Sequence, residues 1–247
     1  MRRYGLVGYP LGHSFSKSYF TDFFRHENLP DCSYENFAIE SIRQIERVVS
    51  TPELYGFNVT IPYKQQIIPY LDSLSSEAEA IGAVNCVRVL GGKLHGYNTD
   101  CYGFRLSLLD LIGENRPAAL VLGSGGASKA VGYALRQLGI EYRLVSRTPD
   151  SQSLSYDALD EETMRSHRLI INTTPLGMYP DTNYAPQIPY ELIEKEHFMY
   201  DLVYNPAQTL FMARGAERGA ETMNGAKMLR LQAEKSWEIW NQALHEK

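Results

Sequence analysis

Cysteine is scarce in this chain of 247 residues: Cys32, Cys86 and Cys101 are its three, with no CxxC pair and no Cys/His cluster around them. An odd, unclustered set encodes neither a disulfide framework nor a zinc site, so no metal is expected and a reducing, cytoplasmic setting is. Long apolar runs are missing too. None reaches the roughly 18 residues of a membrane span, and the opening Gly5-Leu6-Val7 is cut by Gly8, Pro10, Gly12 and His13 before it can form a signal h-region. The expectation is a soluble, untargeted chain without a membrane partner. An excess of basic charge is lacking as well. With 24 basic against 29 acidic side chains the net charge is −5, which argues against holding a polyanion by counterion release, so no nucleic-acid partner is expected. What remains is globular composition, 44% hydrophobic and 21% charged. At about 150 residues per domain, the length admits one large domain or two modest ones.

Short apolar segments alternate with stretches of helical period, the pattern of βα units around a parallel sheet, so the fold class is α/β. Strands are predicted over 4–9, 33–39 and 56–60, and helices over 17–27 and 42–50. Gly91-Gly92 joins the segments 84–90 and 93–97 as a hairpin. A helix over 100–111 leads to Gly113-Glu114-Asn115-Arg116-Pro117, whose turn chemistry makes it the expected domain boundary. Beyond it, further strands are predicted at 118–122, 142–146, 169–172 and 199–203, and Pro206 is placed to start a helix. From 226 to 244, Leu229, Ala233, Trp237, Trp240 and Leu244 fall on one stripe of a long amphipathic helix, which must dock on a core.

Two groups of residues carry chemistry. After the strand at 118–122 comes Gly123-Ser124-Gly125-Gly126-Ala127-Ser128, then a helix. That is the order of a dinucleotide site, in which one glycine makes the tight turn, the next admits pyrophosphate and the third position stays small, here Ser128. At the end of the following strand stands Ser146-Arg147-Thr148 rather than an acid. A guanidinium fork with flanking hydroxyls suits a 2′-phosphate, favouring NADP over NAD, while Asp150 reads as a turn residue or a helix cap. In the first half, Ser14 and Ser16 offer hydroxyls to a carboxylate, although Ser16 also suits a helix N-cap. Lys64, shortly after Pro62, and Asp100, at another strand-to-helix junction, form an apt acid–base pair for carbonyl–alcohol interconversion; an ordinary ion pair is the plain alternative.

Taken in order, these motifs resemble the shikimate dehydrogenase family from the first strand to the last helix. The blocks are Gly8-Tyr9-Pro10 with His13-Ser14-Phe15-Ser16, Asn58-Val59-Thr60 with Pro62 and Lys64, Gly82-Ala83-Val84-Asn85, and Asn98-Thr99-Asp100. Then follow the glycine turn, Ser146-Arg147-Thr148, Asn172-Thr173-Thr174-Pro175-Leu176-Gly177-Met178, Asp201-Leu202-Val203-Tyr204-Asn205-Pro206, and Asn224-Gly225-Ala226-Lys227-Met228-Leu229 with Gln232-Ala233. The resemblance implies reversible NADP-dependent reduction of 3-dehydroshikimate to shikimate, a step toward chorismate and the aromatic amino acids. It implies Lys64 and Asp100 as the catalytic pair and Ser14, Ser16, Thr60, Asn85, Tyr204 and Gln232 around the substrate. The cofactor would meet Gly123, Ser124, Gly125, Gly126, Ala127, Ser146, Arg147, Thr148, Thr173, Met178, Val203 and Gly225, with Met178 and Gly225 near the nicotinamide. The implied architecture is a substrate domain over 1–112, a Rossmann-like domain over 113–220, and a C-terminal helix within 221–247 that returns to the first domain. The chain departs from the family at Lys17, Cys86 and Ser146, and is short between 146 and 169, which suggests trimming there. Oligomeric state, monomer or homodimer, and use of quinate or NAD stay open at this level.

Overall fold

Strands form where apolar runs can be buried on both faces, and in this protein they build two separate sheets. The computed structural model describes residues 1–12 and 15–242. Chain contacts divide it into a first unit, Met1–Thr99 with the chain from Ala233 on, and a second, Asp100–Gln232.

The first unit contains β1 (Arg2–Gly8), α1 (Phe15–His26), β2 (Cys32–Ala38), α2 (Ile45–Val49), β3 (Leu54–Val59), β4 (Ser73–Leu74), α3 (Ser76–Ile81), β5 (Cys86–Leu90) and β6 (Lys93–Tyr97). Sheet order is β2-β1-β3-β5-β6-β4. β1 pairs parallel with β2 and β3, whereas β5 runs antiparallel to β3 and to β6. The Gly91-Gly92 hairpin forms as expected, both glycines at positive φ (57° and 78°) and Leu90 opposite Lys93.

The second unit begins with α4 (Asp100–Ile112) and continues with β7 (Ala119–Leu122), α5 (Gly126–Gln137), β8 (Tyr142–Val145), β9 (Ser153–Leu154), α6 (Glu161–Ser166), β10 (Leu169–Asn172), β11 (Phe198–Asp201), α7 (Leu210–Glu217), β12 (Glu221–Met223) and the start of α8 (Ala226–Asn241). All neighbouring strands are parallel, in the order β12-β11-β10-β7-β8-β9. Read from β9, this is the Rossmann order 3-2-1-4-5-6, with its switch point between β7 and β10. Core residues include Leu120, Leu122, Val145, Ile170, Met199 and Phe211.

Four expectations need correction. The division lies between Thr99 and Asp100, not at 113–117, because α4 packs on α5 and its buried Ser107 hydroxyl meets the Tyr200 hydroxyl of β11 at 2.7 Å. β12, past the expected end at 220, also belongs to the second unit. Residues 146–169, for which the sequence predicts no element, hold β9 and α6, and β9 completes the sheet. Finally, Pro206 does not start α7. Thr209 caps it, its Oγ1 accepting from Met212 N at 3.3 Å.

The stripe on α8 finds its core in the first unit. Ala233 and Trp240 are buried with Tyr4, Phe20, Phe24 and Tyr34, and Trp237 packs edge-on against Tyr4. Trp240 Nε1 donates to the Val87 carbonyl at 2.9 Å, satisfying the polar end of a buried indole. Leu244 lies outside the described residues. No helix among the described residues is long and apolar enough to cross a membrane.

Candidate active site

In the first unit, strand direction gathers the motif residues at one sheet edge. β1 and β3 end there, and the antiparallel pairing of Cys86 with Tyr97 brings the start of β5 and the end of β6 to the same edge. Backbone bonds lock the junctions together. Thr60 N donates to Val7 O (2.9 Å), Val59 N to Asn85 O (2.8 Å) and Val84 N to Lys64 O (2.7 Å). Thr99 N donates to Asn85 Oδ1 at 2.6 Å, and Asn98 Nδ2 to Ala83 O at 2.9 Å. Thus the backbone of Lys64 is fixed to Val84, the neighbouring Asn85 grips Thr99, and Asp100 is the next residue. Lys64 is half-buried, and Asp100 is buried in the first turn of α4, where a carboxylate suits the helix dipole.

Behind this edge runs a buried polar chain. Ser16 hydrogen-bonds to the Tyr34 hydroxyl, which donates to Asn58 Oδ1 at 2.8 Å. Asn58 Nδ2 donates to Asn85 O (3.2 Å) and to Ser236 Oγ of α8 (2.9 Å), and Ser236 meets Thr99 Oγ1 at 3.2 Å. Burial pushes the Tyr34 hydroxyl well above its ordinary pKa, with Ser16 a partial offset. Ser16 sits inside the first turn of α1, one residue past its start, so it is not the N-cap that its sequence position also allowed. Ser14 lies outside the described residues. Tyr34 and Ser236 were missed by sequence reasoning. The inward alternation of Cys32 and Tyr34 along β2 was the available sign, since a buried tyrosine hydroxyl needs a partner.

In the second unit, the carboxyl ends of β7, β8, β10 and β11 carry the cofactor candidates. Gly123, at φ 110°, turns the chain after β7; a Cβ there would lie 2.8 Å from Thr173 Oγ1, so only glycine fits. Thr173 Oγ1 in turn donates to Leu122 O at 2.7 Å, tying the loop after β10 to β7 across the switch point. Ser124 and Gly125 are exposed, Gly126 and Ala127 open α5, and Ser128 is buried with its hydroxyl on Gly125 O at 2.6 Å. The third fingerprint position therefore works as a serine because its hydroxyl turns back into its own turn. After β8, Arg147 and Thr148 are exposed, whereas Ser146 is buried and its Oγ accepts from Thr148 N at 3.2 Å, shaping the turn rather than projecting from it. Asp150 is a turn residue: Gln152 N and Ser153 Oγ donate to it and lower its pKa. These features fit a dinucleotide with a phosphorylated ribose: an open glycine turn at a helix N-terminus, and an exposed guanidinium one strand over.

Nearer the other end of this edge, Gly225 N donates to Val203 O at 3.2 Å, and a side chain at Gly225 would collide with the Leu202 carbonyl. Met178 and Tyr204 are exposed, and partial burial raises the Tyr204 hydroxyl pKa. Gln232 is buried, its Nε2 donating to Leu229 O at 2.9 Å. Asp201, to which the sequence motif assigned no role, is fully buried at the end of β11 and pushed up to about 6 by desolvation against the pull of Thr209, Val203 and Asn172. Among the described residues, no three His, Cys, Asp or Glu side chains are grouped to hold a metal.

Residues 6–87 match the shikimate dehydrogenase substrate binding domain family. The NADP(+) shikimate dehydrogenase of Methanococcus aeolicus is 37% identical to this chain over 254 residues, covering 96% of this chain and 90% of the relative. Among solved structures, shikimate dehydrogenase from Aquifex aeolicus superposes with a TM-score of 0.87 at 35% identity, covering 97% of this chain and 92% of that one. Shikimate 5-dehydrogenase from Thermus thermophilus, solved with NADP(H) and shikimate, gives 0.85 at 33% identity, with 100% and 95% covered.

Proposed function

Because the chain belongs to the shikimate dehydrogenase family, we propose that Lys64 and Asp100 are the acid–base pair of an NADP-dependent oxidoreductase acting on 3-dehydroshikimate and shikimate. The reaction is reversible reduction of the ketone to the secondary alcohol, within the route to aromatic amino acids. When bound, NADPH supplies the hydride. As the carbonyl carbon gains hydride, its oxygen gains a proton, and in the reverse direction that proton leaves. Lys64 holds and exchanges the proton at this oxygen, and Asp100 orients Lys64 and bonds the neighbouring hydroxyl. The observation that best supports the pairing is the run from Lys64 O, bonded to Val84 N, through the adjoining Asn85 to Thr99, the residue beside Asp100. Ser14, Ser16, Thr60, Asn85, Tyr204 and Gln232 bind the substrate carboxylate and hydroxyls in this reading.

The first unit is the substrate domain and the second holds NADP. Gly123 to Ala127 take the pyrophosphate, Arg147 and Thr148 the 2′-phosphate, and Thr173, Met178, Val203 and Gly225 the nicotinamide end. Three buried cysteines, none of them in a disulfide, suit a cytoplasmic enzyme, acting as a monomer or homodimer. The test is NADPH oxidation with 3-dehydroshikimate, repeated with NADH, and with quinate plus each oxidised cofactor. Turnover with NADPH and dehydroshikimate is expected; its absence from folded protein would overturn the reading.

A further inference from the structure

β10 and β11 are parallel neighbours, and their last residues, Asn172 and Asp201, stand opposite each other in register. Both are fully buried. A carboxylate buried this deeply is costly unless donors surround it, and here three segments supply them. Asn172 Nδ2 and Val203 N donate to Oδ1, each at 3.0 Å, and Thr209 Oγ1 donates to Oδ2 at 2.6 Å. Each donor belongs to a turn that carries more than itself.

Asn172 Oδ1 accepts from Thr174 N (3.0 Å) and Thr174 Oγ1 (2.6 Å), which sets the loop after β10 that holds Thr173 and Met178. The bond from Val203 N sets the turn before Tyr204, and Val203 O in turn accepts from Gly225 N. Thr209 is the cap of α7.

We infer that Asp201 is a positioning residue for the nicotinamide end of the cofactor site, its single carboxylate fixing the loops after β10 and β11 against each other. The inference rests on the reading of the second unit as the NADP domain. Asp201 touches no cofactor in this account; it acts through Asn172 and Val203. A carboxylate does this better than a neutral acceptor because each bond it accepts is charge-assisted, and its two oxygens reach all three donors at once.

The test is NADPH binding, followed by its fluorescence, alongside steady-state kinetics on the full chain. Asp201→Ala removes all three acceptors and is expected to weaken NADPH at least about tenfold, on the scale of one or two charge-assisted bonds, while the KM for shikimate changes by less than about threefold. Asp201→Asn keeps an oxygen for Asn172 and Val203 and should recover most of the affinity. Should Asp201→Ala fold poorly, Thr209→Val removes only the Oδ2 bond and should give a smaller loss of the same kind. A purely structural role would lower the melting temperature and the active fraction without moving the NADPH dissociation constant, and that result overturns the inference. If wild type itself does not bind NADPH, the NADP-domain reading fails instead; if wild type binds, Arg147→Ala weakens it and Asp201→Ala does not, only the inference fails.

Discussion

The carboxyl group of Asp201 makes a quantitative demand on stability. Burial raises its pKa from the ordinary 3.8 to about 6, so the folded protein binds this proton more tightly than the unfolded chain does. A raised carboxyl pKa gives stability that is full below the unfolded value and lost as pH climbs through the folded one, here between about pH 4 and pH 6. Evaluating that linkage at two pH values, the group favours the folded state by about 1 kcal/mol at pH 5 and by almost nothing at pH 7.5. Asp201→Asn cannot titrate and removes this contribution. Urea unfolding of both proteins, followed by circular dichroism at each pH, isolates it, because every other titrating group cancels in the difference. Relative to the variant, wild type should gain about 1 kcal/mol between pH 7.5 and pH 5. A difference that stays level, or that favours wild type more at the higher pH, would refute the burial argument.

Arg147→Ala should weaken NADP by about 1.5 to 3 kcal/mol, the scale of a charge-assisted phosphate pair, and leave NAD nearly unchanged; equal losses in direct titrations would remove Arg147 from the 2′-phosphate. Trp240→Ala should cost about 3–5 kcal/mol of unfolding free energy, since it empties a buried aromatic cluster and removes the bond to the Val87 carbonyl. A loss under about 1 kcal/mol would mean that α8 is not anchored there.

Elements marked off by turn residues or by a short apolar stretch were legible in the sequence. β10 and β6 occupy the residues expected of them, and the glycine pair between β5 and β6 has the positive φ its hairpin requires. The short strands β4, β9 and β12 were not, because two or three residues have no readable alternation and exist only through pairing with a neighbour. The turn at Gly113 is real, with φ 56° and Asn115 Nδ2 bonded to Ile112 O. Turn chemistry reports where the chain bends, however, not which core owns the helix before it, and so the boundary was misplaced. The same split runs through the site. Residues such as Lys64, Asn85, Asp100 and Arg147 stand at strand ends, where polar side chains declare themselves. Tyr34, Ser236 and Asp201 lie beneath: Tyr34 and Ser236 meet Asn58 across long stretches of chain, and Asp201 joins the nearby Val203 and Thr209 to Asn172 of the neighbouring strand, links that no local pattern shows.

The pairing of Lys64 with Asp100 is best tested by kcat for shikimate oxidation with NADP in Lys64→Ala, Asp100→Ala and the double variant. General acid–base groups contribute about 10²- to 10⁴-fold, so each single variant should lose kcat on that order, with NADP affinity and folding retained. Groups that act as a unit are non-additive, and the double variant should be little slower than the slower single one. Near-normal kcat in Lys64→Ala, or losses that multiply in the double variant, would contradict a shared catalytic role and leave the two as an ordinary ion pair.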